Sequence, residues 1–342
     1  MSSTMHDVAR IAGVSIKTVS NVINDHPHVR PATRDRVLEA IEQLGYRPNL
    51  SARGLRSGKT GIIGLAVPEL RENYFAELAD AVIRVAETRG LGVVVEQTRG
   101  DRDTEIQTIS GARLRFTDGI LFSPVGLAHR DAALLDVPFP LVLLGERIFD
   151  GPTDHITMPN IESAAAAVEH LISTGRRRIA VVGAEDGDDE GEASSAILRL
   201  RGYRRALEDA GIPFDPALVR RTSHWTRRGG MDAMRELIAE GHDFDGVFAL
   251  NDALGLGVLR ALQDAGRRVP EDVAVIGFDN IDEGQYAVPS LSSVDPGRDE
   301  IAARAVDLLV ERIDEKGPRR PPRTITSGFR IIVRESTGGE SS

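Results

Sequence analysis

The chain has 342 residues, enough for two or three domains of ordinary size, and 41% of them are hydrophobic, which is typical of a soluble α/β protein. The absence of cysteine excludes disulfide bonds, thiolate metal ligands and cysteine nucleophiles. The sequence has no apolar run long enough to span a membrane, and its start, MSSTMHDVAR, lacks the basic and apolar segments of a secretion signal. These features predict a cytoplasmic protein without a membrane partner.

The charge is distributed unevenly along the chain. Residues 1–59 contain nine Lys and Arg against five Asp and Glu, whereas the remaining residues contain 33 against 47. A small basic segment attached to a larger acidic body is typical of a protein in which only that segment approaches nucleic acid.

Two short helices are predicted at the start of the basic segment. The run TMHDVARIAGVSIKTVSNVIN, which begins at Thr4, carries apolar residues at helical spacing. Thr4 is expected to cap the first helix, Gly13 to end it, and Ser15 to cap the second. The helices must then meet at a steep angle across a tight turn, as in a helix-turn-helix motif. The alternative is an ordinary helical hairpin with a solvated polar face.

The second helix is the predicted DNA-reading element. Ile16, Lys17 and Asn21 are expected to face outward near its N-terminal half, where a recognition helix meets base edges. A lysine can donate to guanine, an asparagine can pair with adenine, and an aliphatic side chain can contact a thymine methyl group. The predicted contacts to bases and phosphates are those of Thr4, Ser15, Ile16, Lys17, Thr18, Ser20, Asn21 and His28.

A third helix is predicted from Pro31 to the stop at Gly45. Its expected buried stripe consists of Val37, Leu38, Ile41 and Leu44. The next stretch, YRPNLSARGLRSGKT, mixes helix formers with Pro and Gly and is predicted to be a linker that folds on contact.

From Gly61 onward, apolar segments alternate with amphipathic ones, which predicts parallel sheets covered by helices on both faces. The predicted strands are GIIGLAVP, GVVVEQT, DGILFSP, PLVLLGE, RRIAVVGA, DGVFALND and DVAVIGFDN. A further strand near Ile156, followed by a second series from Ile179, favours two lobes of similar size. Such sheets bind ligands at the carboxyl ends of their strands. Polar residues that follow the strands are Ser123, Glu146, Asn251, Asp252 and Asp279.

The runs DVARIAGVSIKTVSNVIN, ATRDRVLEAIEQLGYRPN and ARGL together resemble the LacI/GalR family of bacterial regulators, and the resemblance continues to about residue 335. It implies an α/β protein in which a three-helix helix-turn-helix head precedes a periplasmic-binding-protein-like core of two doubly wound parallel lobes. The implied boundaries are 1–47 for the DNA-binding head, 48–60 for the hinge and 61–335 for the core. Within the core, the N-lobe spans about 61–160 and 293–323, the C-lobe spans about 161–292 and 324–335, and a disordered tail covers 336–342.

The resemblance also implies functional residues. Hinge residues Asn49, Ala52 and Leu55 would contact DNA, with Leu55 as an apolar wedge in the minor groove. The implied effector pocket comprises Tyr74, Phe75, Ser123, Glu146, Arg199, Trp225, Asn251, Asp252, Asp279 and Arg298. Trp225 offers a flat apolar face to a sugar ring, and Arg199 with Asp279 offers a donor and an acceptor to neighbouring hydroxyls.

The sequence departs from the family pattern at Pro159, where many relatives carry Asp, and at Gly145–Glu146, where a single Asp is common. These departures leave the class of the effector open, with a sugar as the leading expectation. The arginine at 298 could favour an anionic or phosphorylated ligand.

These features predict a sequence-specific transcription regulator of the repressor type that is controlled by a small effector. A homodimer would read a pseudopalindromic operator, and effector binding would rotate the lobes and change the spacing of the two hinges. The final ESTGGESS has no heptad pattern, which argues against a tetramer formed through the tail.

Two other functions share such a core: a solute-binding protein and a sugar-active enzyme. The former would lack a DNA-reading head, and the latter would need a nucleophile, metal cluster or cofactor loop, none of which is recognisable, so no metal or cofactor is expected. The acidic run DGDDEGEASSAI begins like a calcium loop with Asp186, Asp188 and Glu190, but Ile197 occupies the position of its last ligand. The run is therefore predicted to be a solvated loop.

Overall fold

The computed structural model of the chain describes residues 3–23, 26–46, 59–111, 113–185 and 193–339. The chain divides into two units, Met1–Gly61 and Ile62–Ser342. Within the described residues no helix is long and apolar enough to cross a membrane. The predicted hinge contacts and calcium-like positions that lie outside the described residues are Asn49, Ala52, Leu55, Asp186, Asp188 and Glu190.

The first unit contains the three predicted helices, α1 (Met5–Ala12), α2 (Ile16–Ile23) and α3 (Pro31–Leu44). Thr4 caps α1 through a reciprocal capping box with Asp7, and Gly13 ends the helix in the left-handed conformation at φ 64°. The Ser15 hydroxyl accepts a hydrogen bond of 3.1 Å from Thr18 N, which caps α2. The caps therefore place two short helices on either side of the tight turn that the sequence predicts.

The three helices bury a small apolar core whose members are Val8, Ala9, Ala12, Val19, Val22, Val37, Ala40 and Tyr46. The expectation that Leu38 is buried is wrong, because Leu38 is 50% exposed and Ala40 is buried instead. Adjacent helix positions lie about 100° apart, so a helix that directs Val37 inward carries Leu38 away from the core. Ile16, expected to face outward, packs partly against this core.

The first lobe of the second unit is built on a parallel sheet with the strand order β11-β5-β4-β3-β1-β2. Its strands are β1 (Ile62–Val67), β2 (Gly92–Gln97), β3 (Ile120–Phe122), β4 (Leu141–Leu144), β5 (Asp154–Thr157) and β11 (Thr324–Thr326). Helices α4 (Asn73–Thr88) and α11 (Arg298–Ile313) pack together on the face that carries Leu65 and Leu121. Helix α5 (Arg102–Ile109) and a 3₁₀ helix, His129–Leu135, cover the opposite face.

The second lobe is built on a sheet with the order β12-β10-β9-β8-β6-β7, in which only the β10–β12 pair is antiparallel. Its strands are β6 (Ile179–Ala184), β7 (Val219–Arg221), β8 (Gly246–Ala249), β9 (Ala274–Phe278), β10 (Ser292–Asp295) and β12 (Arg330–Ile332). Its helices are α6 (Asn160–Ser173), α7 (Ser195–Asp209), α8 (Arg227–Ala239), α9 (Asp252–Asp264) and the short α10 (Asp282–Gln285). Helices α6 and α7 pack against each other, as do α8 and α9.

The chain crosses between the two sheets after β5, after β10 and after β11. The boundary expected near 293 is too early, because β10 pairs with β9 and therefore belongs to the second lobe. The boundary expected near 324 is too early for the same kind of reason, since β11 pairs with β5 of the first lobe. Strand patterning locates a strand along the chain but does not select its neighbours.

The described part of the tail expected from residue 336 packs on the core. A 3₁₀ helix covers Glu335–Thr337, and its Ser336 and Thr337 are buried. Ser336 Oγ accepts a hydrogen bond from Ser292 N at 2.8 Å and donates to Val275 O at 2.7 Å. These hydroxyl bonds tie a Ser- and Gly-rich segment to the second sheet, although its composition resembles that of a disordered tail.

Candidate functional site

A cavity of about 330 Å³ lies between the two lobes of the core. It opens where β3 and β4 of the first sheet and β6, β8 and β9 of the second sheet end, as expected for parallel sheets with helices on both faces. Eight of the predicted effector residues line it: Tyr74, Phe75, Ser123, Glu146, Arg199, Trp225, Asn251 and Asp279. Six of them follow a strand or open a helix, where a side chain can reach the cleft.

Arg199 lies on the wall formed by α7, and its guanidinium group is almost fully buried. Nε donates to Asn160 Oδ1 at 2.8 Å, Nη1 donates to the Leu250 carbonyl, and Nη2 lies 3.7 Å from Asp279 Oδ1. The guanidinium also stacks on the Phe278 ring, with Cζ 3.4 Å from the ring centroid. These contacts hold the charge of Arg199 in one place at the back of the cavity.

Asp279 follows β9 in a strained backbone conformation, with φ at 107°. Its N–H donates to Val294 O of β10 at 2.8 Å, and its carbonyl accepts from Arg298 Nη1 of α11 at 3.0 Å, so β10 and the start of α11 fix this conformation. Burial raises the pKa of the Asp279 carboxyl to about 7, although the nearby positive charges of Arg199 and Arg298 lower it. A strained, buried carboxylate beside a cavity is a feature of binding sites.

An aromatic side chain forms the flat part of the wall. Trp225 is held by a 2.9 Å hydrogen bond from Nε1 to the carbonyl of Gly183, a residue at φ 112° where β6 and β7 change register. Across the cavity, Tyr74 and Phe75 pack edge to face with ring centroids 5.3 Å apart. Burial raises the pKa of the Tyr74 hydroxyl well above its ordinary value, and the neighbouring carboxylates of Glu146 and Asp279 raise it further.

Glu146 reaches across the cavity from the first lobe to the second. Its Oε2 accepts a 2.7 Å hydrogen bond from Ser195 Oγ, at the start of α7. Its Oε1 is buried and has no hydrogen-bond partner among the described residues. The neighbouring Arg147 donates from Nε to Val125 O at 2.9 Å and from Nη1 to Ala193 O at 3.4 Å. Residues 145–147 thus connect the two lobes.

Two predicted effector residues, Asp252 and Arg298, are absent from the cavity wall that the described residues form. Asp252 is buried beneath it, where Oδ1 accepts from Ser293 Oγ at 2.7 Å and Oδ2 accepts from Ile281 N at 2.9 Å. Arg298 forms an ion pair with Glu77, with Nη2 2.6 Å from Oε2. Both residues support the loops behind the wall, so the expectation that Arg298 favours an anionic ligand loses its basis.

Asn251 combines two roles. Its side chain caps α9 by accepting a 2.9 Å hydrogen bond from Leu254 N, which is the ordinary structural role of an Asn at this position. The same side chain also lines the cavity.

A second set of contacts joins the lobes at the outer edge of the cavity. Arg227 Nη2 donates at 3.0 Å to both Asn73 Oδ1 and Glu283 Oε1, and Asn73 Nδ2 donates to the same glutamate oxygen. Close by, Asp282 N donates to Glu77 Oε1 at 2.9 Å. Since Asn73 and Glu77 lie on α4 of the first lobe, these bonds must break when the lobes separate on this side.

The sequence analysis missed several residues of the wall, namely Glu72, Asn73, Arg147, Thr157, Glu185, Ser195 and His224. Glu185 directly follows β6, Thr157 ends β5, and Asn73 and Ser195 begin α4 and α7, so the rule that selects strand ends and helix starts would have found all four. The other three, Glu72, Arg147 and His224, lie outside the helices and strands, and only the tertiary fold brings them to the cavity.

In the head, Lys17 is exposed on α2, and Asn21 is partly exposed one turn further along. The hydroxyls of Thr4, Ser15 and Thr18 take part in helix caps, with Ser15 Oγ and Thr18 Oγ1 2.9 Å apart. Ser20 and Ile16 are partly exposed, as Asn21 is. In the loop before α3 the ring of His28 is exposed, with its centroid 5.5 Å from that of His26. Of the predicted contacts on α2, Lys17 is the one that is exposed, and the base contacts of this helix stay a prediction.

The architecture defines a class of protein: a helix-turn-helix head and a two-lobed core that encloses a ligand-sized cavity. A model of bacterial regulatory proteins of the lacI family matches residues 4–49, and a model of the periplasmic-binding-protein-like domain matches residues 168–337. Catabolite control protein A of Priestia megaterium is 33% identical over 317 residues, which are 92% of this chain and 94% of that protein. The chain belongs to the LacI family of bacterial transcription regulators.

Two solved structures are similar over nearly the whole chain. The transcriptional regulator CelR in complex with cellobiose is 34% identical, has a TM-score of 0.70, and is matched over 98% of this chain and 99% of that one. The lac repressor dimer bound to operator and the anti-inducer ONPF is 25% identical, with a TM-score of 0.82 and the same coverage. The named relatives are regulators rather than enzymes.

Proposed function

We propose that this regulator is a homodimeric repressor that binds a pseudopalindromic operator and is controlled by a saccharide bound between the lobes of its core. The observation that carries the proposal is the cavity itself. It sets the indole of Trp225 among the buried polar groups of Arg199, Asp279 and Glu146. A saccharide has the matching chemistry, with an apolar ring face and hydroxyl groups along its edge.

The effector contacts that we propose fall into two groups. Trp225, Tyr74 and Phe75 would pack against the sugar ring. The polar contacts would be those of Ser123, Glu146, Arg199, Asn251 and Asp279. Among the similar structures, CelR is in complex with cellobiose, which supports a saccharide as the ligand class here.

Operator contacts would come from α2 and the loop that follows it. The exposed ammonium group of Lys17 and the amide of Asn21 can donate to base edges, and His28 can contact a phosphate. Thr4, Ser15, Thr18 and Ser20 would add phosphate contacts through backbone or side-chain groups near the helix starts. Ile16 would contribute the exposed part of its side chain.

Dimerisation would double the number of bases that are read. The lac repressor structure is a dimer on its operator, which supports the same assembly here. The second lobe also exposes two large apolar side chains, Tyr286 at 74% and Val288 at 88%, which a second copy can cover.

Control by the effector would act through closure of the lobes. The contacts between Glu146 and Ser195, and among Asn73, Arg227 and Glu283, span the two lobes at separate points around the cavity. A ligand that bridges the same walls would shift the equilibrium between closed and open lobes. In a dimer this shift would change the separation of the two heads.

The test begins with selection of an operator from random duplexes by the purified protein, followed by a screen of saccharides for a change in that binding. Lys17→Ala should weaken binding to the selected operator by about 1–3 kcal/mol and relax the preference at one base position. Lys316→Ala, which removes an exposed lysine of the core, is the matched control and should leave binding unchanged. Absence of any sequence preference in the unsubstituted protein would disprove the proposal. Turnover of a bound saccharide would favour the enzyme alternative.

A further inference from the structure

The described wall of the cavity carries an excess of acidic groups. Its carboxylates are those of Glu72, Glu146, Glu185 and Asp279. Its cationic groups are the guanidinium groups of Arg147 and Arg199, with the imidazole of His224 as a third basic group. A ligand that enters this space meets more negative charge than positive charge.

The arginines near the cavity already donate to protein groups. Arg199 donates to Asn160, to the Leu250 carbonyl and toward Asp279. Arg147 directs Nε and Nη2 to the Val125 carbonyl and Nη1 to that of Ala193. A phosphate or carboxylate usually accepts two parallel hydrogen bonds from the N–H groups of one arginine. In Arg147 and Arg199 these groups already donate to protein acceptors.

Acceptor oxygens, in contrast, are available. Glu146 is 6% exposed, and its Oε1 has no hydrogen-bond partner among the described residues. Asp279 is also buried, and its carboxylate forms a 3.7 Å ion pair with Arg199. A buried acceptor without a donor is costly, so Glu146 Oε1 favours a ligand that donates a hydrogen bond.

We propose that the effector is a saccharide that is uncharged or carries an amine, that phosphorylated and carboxylated saccharides are excluded, and that Glu146 determines this selection. The inference rests on the proposed function and specifies the chemistry of its ligand. A sugar hydroxyl or ammonium group would donate to Glu146 Oε1. The hydrogen bond from Ser195 of the second lobe to Oε2 holds this carboxylate in place. An anionic group at the same point would face a buried carboxylate at close range and would lose its hydration without gaining a cation.

The experiment uses the full chain and matched series of saccharides, with binding followed by Trp225 fluorescence, since this is the single tryptophan. The series are glucose, glucosamine and glucose 6-phosphate; the same three forms of galactose; and cellobiose, the glucosamine disaccharide and cellobiose 6-phosphate. At least one neutral or amine-bearing member should bind, and its phosphorylated counterpart should bind at least about 100-fold more weakly. Equal or tighter binding of a phosphorylated member, or no binding by any neutral or amine-bearing member, would overturn the inference.

Glu146→Gln tests the selecting residue, because the amide oxygen can still accept from Ser195 while the charge is gone. This variant should bind the amine-bearing member about 10-fold more weakly and should reduce the discrimination against the phosphorylated member. Glu169→Gln removes an exposed carboxylate on α6 and is the matched control. If Glu146→Gln leaves the discrimination unchanged, Glu146 does not determine it.

Operator binding by the same preparation separates the two proposals. If the protein binds a selected duplex and an anionic compound weakens or strengthens that binding, the regulator function stands and the inference about effector charge is wrong. If it binds no duplex with sequence preference, the proposed function is wrong, whatever the saccharide series shows.

Discussion

Replacing Asp279 with asparagine should stabilise the core, by clearly more at pH 8 than at pH 5, and abolish effector binding. Asn is one of the residues that tolerate positive φ, so the backbone at φ 107° accepts it without added strain. The amide keeps the size of the side chain but carries no charge. The difference between the two proteins therefore reports the free energy of holding a carboxylate at this position.

The magnitude follows from the pKa of Asp279, which burial raises to about 7 from an ordinary value of 3.8. Because the pKa is raised in the folded state, the contribution of this group to stability is greatest below about pH 4 and is lost as the pH rises through 7. At about 1.4 kcal/mol per pKa unit, the loss is at most about 4 kcal/mol. About 1.7 kcal/mol of this loss occurs below pH 5, where the unfolded carboxyl already ionises, and relaxation of the site reduces the rest, so we expect a difference of about 1–3 kcal/mol between pH 5 and pH 8.

The assay is urea unfolding at pH 5, 6, 7 and 8, monitored by Trp225 fluorescence and by circular dichroism. Asp272→Asn is a control of opposite sign, because hydrogen bonds from Arg268 lower the pKa of Asp272 to about 2. Its stabilising effect is lost only as the pH falls below about 4, so its difference from the unsubstituted protein should stay constant over the same range. A similarly constant difference for Asp279→Asn would refute the reasoning.

Two further predictions concern the fold that holds the site. Arg312→Met should destabilise the core by about 3–5 kcal/mol, because it leaves the fully buried carboxylate of Asp154 without its two 2.8 Å hydrogen bonds from Arg312. Burial alone would raise the pKa of Asp154, but Arg312 holds it below its ordinary value, so the loss should be largest above about pH 4 and should shrink in acid. A loss under about 1 kcal/mol, as for an exposed pair, would contradict this account. Gly257→Ala should cost about 3 kcal/mol in urea unfolding, since its Cβ would lie 2.0 Å from a backbone oxygen of α8. Gly284→Ala, whose Cβ would meet its nearest neighbour at 3.7 Å, is the control, and equal losses for both would count against close packing of α8 and α9.

The sequence is sufficient to predict structure that depends on residues close together along the chain. Caps at Thr4 and Ser15 and the stop at Gly13 have local causes, and the structure confirms the two short helices that they delimit. The seven predicted strands of the core are also confirmed. Their carboxyl ends could be assigned to one cleft because parallel sheets with covered faces leave that edge open.

Local patterns could not rank the side chains at that edge. Asp252 and Asp279 each follow a strand of the second sheet, yet Asp252 bonds to Ser293 behind the wall and Asp279 lines the cavity. Arg298 looks like a free cation in the sequence but is paired with Glu77, a residue more than 200 positions away. Which of these groups meets a ligand depends on partners that the fold supplies.

The sequence by itself determined the two-part plan, the caps of the DNA-reading helices and the strand ends from which the site is built, because periodicity and capping act between residues a few positions apart. Only the tertiary structure decided which side chains line the same cavity and to which lobe β10 and β11 belong. It also decided which oxygen of Glu146 has no hydrogen-bond partner among the described residues. These outcomes arise from contacts between segments distant in the chain. A side chain that is paired with another protein group in the fold can no longer bind a ligand with the same atoms.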